Sequence, residues 1–123
     1  MLKVAEIISK NIAVDGEIDG KKLFDEMKKS YKKGEKIEIS FEGINTVVSP
    51  FLNYSIGQFY REMPKNEWSY LDDNIIYIGL NDYDRDILLK KVIENAKFQA
   101  QNPQKAKDIE KELLGLEDEQ SCN

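Results

Sequence analysis

The chain has 123 residues, of which 41% are apolar and 33% are charged, and its formal net charge at pH 7 is −5. The length suits one domain, and the composition favours a compact core with a charged exterior over a disordered chain. The negative charge argues against non-specific binding to nucleic acid, and no stretch approaches the ~20 apolar residues of a membrane span. Since the single cysteine, Cys122, allows no internal disulfide, we expect a cytoplasmic protein.

Several residue types that carry common catalytic and metal chemistry are missing. The chain has no histidine and one cysteine, which excludes Ser-His and Cys-His nucleophile pairs and a structural zinc site. The two glycines of residues 16–20 have the wrong spacing for a phosphate-binding loop. Residues 82–86 supply acids as a calcium loop does, but Ile87 and Ile93 stand where such a loop needs glycine and glutamate. We therefore expect no catalytic residues, no metal site and no cofactor.

The first third of the chain predicts two strands and a helix. Residues 2–8 carry the β-branched bulk of a strand, and residues 12–14 predict a short second strand. A helix follows, because Asp19 is a good helix cap, apolar residues recur at helical spacing and Gly34 supplies a left-handed stop. Six lysines between residues 21 and 33 are interpreted as the solvated face of this helix, not as a nucleic-acid site.

The middle of the chain predicts a strand followed by a second helix. Polar and apolar residues alternate over residues 36–42, which is typical of a strand with one face on a core. Ser49 and Pro50 then open a helix, since serine caps helices and proline suits the first helical position. Pro64 ends this helix, and close packing against a sheet would explain Gly57 inside it.

The last third predicts a strand, a helix and a tail. The apolar run at residues 75–80 is typical of a central strand covered on both faces. Acidic residues 82–86 begin a third helix that runs to residue 100. Because strands and helices alternate, we predict parallel strands in an α/β domain over residues 1–103. Residues 104–123 are predicted to form an acidic tail that is partly helical or disordered.

The segment KIEISFEGINTVVSPFLNYSIGQFY, residues 36–60, carries a family resemblance. It holds a strand that ends in Phe41-Glu42-Gly43, a β-branched pair and a helix opened by Ser49-Pro50-Phe51. In this it resembles the STAS-like domains of unknown function of bacterial and mobile-element proteins, relatives of the STAS domain of anti-sigma factor antagonists. The resemblance covers about the middle two-thirds of the chain. It implies a small mixed sheet of four or five strands, with helices mainly on one face.

The resemblance also implies a site at the start of the second helix. In anti-sigma factor antagonists, a partner kinase of the histidine-kinase-like ATPase class phosphorylates a serine at this point, which falls on Ser49. The antagonists have aspartate where this chain has Val48. Two roles therefore stay open for Ser49, phosphoacceptor and plain helix cap. The residues predicted to contact a partner are Pro50, Phe51, Asn53 and Tyr54.

The function implied by the resemblance is that of a non-enzymatic regulatory module that binds another protein. The partner class it suggests is a histidine-kinase-like ATPase or another signalling protein, with no nucleic acid and no membrane involved. The alternative is a small phage or mobile-element inhibitor of a host protein. An enzyme that acts through carboxylates such as Asp72 and Asp73 is the least expected reading, since no histidine is available as a general base. The sequence leaves the oligomeric state open.

Overall fold

The structure is a computed structural model that describes residues 1–102. Its strands in chain order are Leu2–Lys3 (β1), Ile12–Ala13 (β2), Ile37–Ser40 (β3), Thr46–Val47 (β4) and Ile75–Ile78 (β5). One sheet has the order β1-β3-β5, the other pairs β2 with β4, and every pairing is parallel. The predicted parallel arrangement is confirmed. The predicted single mixed sheet of four or five strands is not found in the described residues, where the strands divide into sheets of three and two.

Helices connect these strands. The α-helices are Val4–Ile8 (α1), Lys21–Ser30 (α2), Ser49–Leu52 (α3), Gln58–Glu62 (α4), Trp68–Asn74 (α5) and Lys90–Gln101 (α6). Three π-helical segments adjoin these helices: Gly16–Gly20 leads into α2, Asn53–Gly57 joins α3 to α4, and Asp84–Leu89 leads into α6. We call the continuous stretch 49–62 the middle helix and the stretch 84–101 the last helix. No helix in residues 1–102 is long and apolar enough to cross a membrane.

The core is built from alternate residues of β3 and from the apolar stripes of the helices. Ile37 and Ile39 of β3 and the following Phe41 are buried, as the alternation of residues 36–42 predicts. Each large apolar side chain buried in this way stabilises the fold by ~1.5–3 kcal/mol. The stripes of the middle and last helices that meet this core are Leu52, Ile56, Phe59, Tyr60, Leu89, Val92 and Ala96.

The first strand is much shorter than residues 2–8. Only Leu2–Lys3 pairs with β3, and the chain continues as helix α1 from Val4. Val4 and Ile8 are both buried and stand four residues apart, so they occupy one face of a helix. The β-branched side chains that suggested a strand fill the core equally well from this helix.

The strand β5 lies at the edge of its sheet, so the prediction of a central strand at residues 75–80 is wrong. The central position belongs to β3, which pairs with β1 on one side and β5 on the other. On β5 only Ile75 is buried, and the other three residues are half-buried. An apolar run indicates that both faces of a strand are covered, but it does not indicate whether the strand has neighbours on both edges.

Several boundaries also differ from those predicted. Helix α2 ends at Ser30, and Gly34 adopts a φ of +94° in the turn that follows. The side chain that caps the segment before α2 is Asp15, whose Oδ1 accepts from Ile18 N at 2.9 Å, while Asp19 is buried. Residues 68–74, between the middle helix and β5, form a helix of their own, α5, which the sequence analysis did not predict. The domain limit at residue 103 and the predicted tail over residues 104–123 lie outside the described residues.

Candidate functional site: a groove between two helices

A groove of about 470 Å³ separates the start of the middle helix from the last helix. We call it the interhelical groove. Its lining residues are Ser49, Pro50, Asn53 and Tyr54 from the middle helix and Leu88, Lys91, Val92, Asn95 and Gln99 from the last helix. All the residues that the sequence singled out around Ser49 line this groove except Phe51. The structure thus brings the predicted site together with a second wall that the sequence analysis did not foresee.

Two glycines hold the π-helical segment Gly16–Gly20 against the start of the middle helix. A Cβ atom added at Gly16 would lie 2.7 Å from the backbone oxygen of Pro50, and one added at Gly20 would lie 2.9 Å from that of Phe51. Real side chains do not approach so closely, so only glycine permits this contact. The sequence analysis weighed these glycines only as a phosphate-binding loop and missed their role in positioning the groove.

Ser49 is exposed and is the first residue of α3. Its predecessor Val48 has extended backbone angles and stands at the N-cap position, where its carbonyl accepts from Leu52 N at 3.3 Å. No side chain caps this helix start, and the Ser49 hydroxyl forms no hydrogen bond with any residue from 1 to 102. If Ser49 were the cap, the helix would begin at Pro50. It begins at Ser49, with Val48 at the cap position, so the geometry gives no support to a capping role for Ser49. Phosphorylation of Ser49 stays a prediction.

Phe51 is fully buried, so its side chain is not exposed for the predicted contact with a partner. Its ring packs edge-to-face on Phe41, with 6.5 Å between the ring centroids. Phe51 sits one residue after Pro50, on the side of the helix that faces the core. It anchors the start of the middle helix and leaves Pro50 and Tyr54 exposed.

Arg61, which the sequence analysis did not single out, stands behind the groove. Its Nη1 donates to Asn53 Oδ1 at 2.9 Å and to Gln99 Oε1 at 3.2 Å, while Nη2 donates to the Asn53 carbonyl at 3.0 Å and to Gln58 Oε1 at 2.7 Å. Partial burial lowers the pKa of Arg61, but the guanidinium stays charged at neutral pH because arginine is not deprotonated in proteins. One cation thus ties the middle helix to the last helix. The only signal in the sequence was an arginine eight residues after Asn53, which places both on nearby faces of one helix.

Among residues 1–102, no acidic side chain lines the groove. Lys91 is exposed, and neither it nor Arg61 forms an ion pair within the part of the chain that the structure describes. The lysines in α2 and just after it differ from Lys91, since most of them pair with carboxylates, as expected for the solvated face of a helix. These pairs are Lys21–Asp25, Lys22–Asp19, Lys28–Glu62, Lys29–Glu26 and Lys33–Glu67.

A second cavity, of about 330 Å³, lies between β5 and the last helix. At its wall the Tyr60 hydroxyl donates to Asp72 Oδ1 at 2.7 Å, and Lys97 Nζ lies 2.9 Å from Asp72 Oδ2. The pKa of Tyr77 is raised, mainly by burial and to a smaller extent by the negative charge of Asp72. The Tyr77 hydroxyl is buried and has no hydrogen-bond partner among residues 1–102. Asp72 is thus held by two neighbours, and the described residues contain no cluster of three or more metal-ligating side chains.

Comparisons with known proteins bear on the middle of the chain. The family model of the STAS-like domain of unknown function (DUF4325) matches residues 19–85, more than half of the 123 residues. The matched region contains the wall of the groove that the middle helix supplies and ends before Leu88, where the other wall begins. Searches of the curated proteins and of the solved structures each gave no significant match.

Proposed function

Because the chain belongs to the STAS-like family of unknown function, we propose that it is a non-enzymatic regulatory module that binds another protein through the interhelical groove. The observation that carries the proposal is the meeting of Ser49, Pro50, Asn53 and Tyr54 with the last helix in one groove. The same four residues belong to the site that the family resemblance at residues 36–60 implies. Their position on a concave surface is what a docking site requires.

The surface around the groove has the make-up of a protein interface. Tyr54, with 42% of its surface exposed, is an aromatic side chain of the kind that is enriched at interfaces. Two further apolar residues on elements that adjoin the groove, Ile18 and Ile87, are 61% and 53% exposed. Ile18 belongs to the segment that packs on Tyr54, and Ile87 precedes Leu88 in the last helix. Covering such side chains in an interface would contribute favourable free energy.

The predicted partner is a histidine-kinase-like ATPase or another signalling protein. The exposed hydroxyl of Ser49 supports regulation at this surface, because a phosphoryl group there would add negative charge and bulk inside the groove. The inhibitor of a host protein stays the alternative prediction. Neighbouring genes separate the two: a kinase-like ATPase beside the gene favours regulation, and a cluster of anti-defence genes favours inhibition.

The test is affinity capture from the native host, with the captured proteins quantified by mass spectrometry. Asn95 and Ala100 are both exposed on the last helix, but only Asn95 lines the groove. We expect Asn95→Trp to fill the groove and lose the partner, while Ala100→Trp retains it. Equal thermal midpoints for the two variants establish that both are folded. Capture of the same partner at the same level by both variants would contradict the proposal.

A further inference from the structure

We propose that the interhelical groove recognises an acidic segment of its partner protein, one that brings a carboxylate together with an aliphatic side chain. This inference rests on the proposed function and adds to it the chemistry of the partner. Three features of the groove support it: the orientation of its amides, its charge and the apolar side chains in its lining.

The amides of the groove are oriented by Arg61. Its Nη1 donates to the side-chain oxygens of both Asn53 and Gln99, so the oxygen of each amide faces the guanidinium. The NH₂ group of each amide must then point away from Arg61. Neither NH₂ group has an acceptor among residues 1–102. The groove therefore presents hydrogen-bond donors, and a partner has to supply acceptors, because an unmet donor in a covered interface is costly.

The positive charge in and behind the groove favours a negatively charged hydrogen-bond acceptor over a neutral one. Lys91 lines it, Arg61 lies behind it, and no acidic side chain of the described residues neutralises either cation at ion-pair distance. Since Arg61 is partly buried, its field is less screened by water than that of a surface lysine. A carboxylate accepts hydrogen bonds and compensates both cations, whereas a neutral acceptor does only the first.

Four of the residues that line the groove offer it apolar surface. Pro50 and Tyr54 face Leu88 and Val92 across it. This surface accommodates an aliphatic side chain and gains free energy from covering it. A nucleic acid would supply anionic acceptors but no aliphatic group, and a chain of net charge −5 repels it at a distance. An acidic peptide segment with leucine-like side chains fits all three features.

The probe is a random dodecapeptide library displayed on phage. It is selected on the full-length chain and depleted on the Asn95→Trp variant, so that only groove-dependent peptides remain. We expect these peptides to be enriched in glutamate or aspartate close to leucine or isoleucine. Affinities of the selected peptides are then measured by fluorescence anisotropy on the wild type and on charge variants.

The charge variants separate recognition from folding. Asn53→Asp keeps an oxygen toward Arg61 but removes the NH₂ donor and adds a negative charge, so the fold should persist while binding weakens. Lys91→Glu reverses the exposed cation, and Lys32→Glu makes the same change at an exposed lysine outside the groove. We expect Asn53→Asp and Lys91→Glu each to weaken peptide binding about tenfold or more, and Lys32→Glu to leave it within about twofold.

Other results would overturn the inference. One is selection of neutral or basic peptides, or of none that depend on the groove. Another is acidic peptides that bind Lys91→Glu as tightly as the wild type. If peptides bind only after Glu117, Asp118 and Glu119 are changed to amides, the groove binds the chain's own acidic residues. If the chain self-associates and Asn95→Trp abolishes this, the groove binds a second copy. If host capture still depends on Asn95 in any of these cases, the proposed function stands and only the acidic partner is excluded.

Discussion

At the scale of single residues, Glu67 connects the end of α2 to the turn before α5. The Tyr31 hydroxyl donates to Glu67 Oε1 at 2.8 Å, and Lys33 Nζ lies 3.4 Å from Oε2. The hydrogen bond from Tyr31 and the charge of Lys33 hold the pKa of Glu67 below its ordinary value of 4.5. Burial and the same hydrogen bond raise the pKa of Tyr31 to about 12. The pair is therefore a phenol and a carboxylate at neutral pH.

The depressed pKa of Glu67 predicts how its contribution to stability depends on pH. The ionised carboxylate stabilises the folded state above the unfolded pKa, near 4.5, and this stabilisation is lost as the pH falls through the lower folded pKa. Glu67→Gln should therefore lower the free energy of unfolding at pH 7, and the gap to the wild type should close toward pH 3. Urea denaturation across this range measures it, with Glu38→Gln, at an exposed position of β3, as the control. A gap that stays constant with pH would contradict the assignment.

Asp19 is the one acidic side chain of the described residues that is fully buried. Its Oδ2 lies 2.6 Å from Lys10 Nζ, and its Oδ1 lies 3.6 Å from Lys22 Nζ. We expect Asp19→Asn to lower the free energy of unfolding by ~1–2 kcal/mol, less than for a wholly buried pair because Lys10 can return to water. Asp25→Asn, which breaks the exposed pair with Lys21, should cost no more than about 0.5 kcal/mol. Equal losses for the two variants in urea denaturation would show that the burial of Asp19 has no energetic role.

At the scale of elements, Gly57 sets the distance between the middle helix and the last helix. A Cβ atom added there would lie 3.3 Å from Val92 Cγ1 and 3.1 Å from Asn53 Oδ1. The predicted packing of Gly57 against a sheet is wrong, because its close neighbour across the interface is Val92 of the last helix. The π-helical geometry of residues 53–57 accompanies this contact.

This contact predicts a coupling between two positions. Gly57→Leu should overpack the helix interface and lower the free energy of unfolding by ~1–3 kcal/mol. Val92→Ala removes the atoms that the new side chain meets, so the double variant should lose less than the sum of the two single variants. Thermal or urea denaturation of the four proteins measures the coupling. Simple additivity would show that Gly57 and Val92 do not press on each other.

The sequence predicts elements well where the local pattern and the tertiary role agree. The alternation at residues 36–42 gives β3, and Ser49-Pro50 marks the start of the middle helix to within one residue. The predictions fail where the same pattern of apolar residues is compatible with two different structures. Val4 and Ile8 suit a strand or a helix, and the apolar run of β5 suits a central or an edge strand, because pairing partners are set by distant parts of the chain.

At the scale of the whole molecule, the groove is a product of tertiary packing. The resemblance at residues 36–60 identified the wall around Ser49, but the opposite wall begins about forty residues later, at Leu88. Arg61 connects the walls through hydrogen bonds that no spacing in the sequence reveals. The buried Phe51 shows a second limit of prediction from sequence: a motif identifies neighbouring residues but does not show which of them faces the solvent.

The central claim is that a partner protein occupies the interhelical groove, and site-specific photo-crosslinking tests it most directly. A photoreactive phenylalanine analogue replaces Tyr54, which is exposed in the groove, or Lys32, which is exposed outside it. Each variant is produced in the native host and irradiated, and the crosslinked proteins are identified by mass spectrometry. We expect one partner to be crosslinked from position 54 and lost when Asn95→Trp is added, with no crosslink to it from position 32. Crosslinking of the same protein equally from both positions, or no loss on adding Asn95→Trp, would contradict the account.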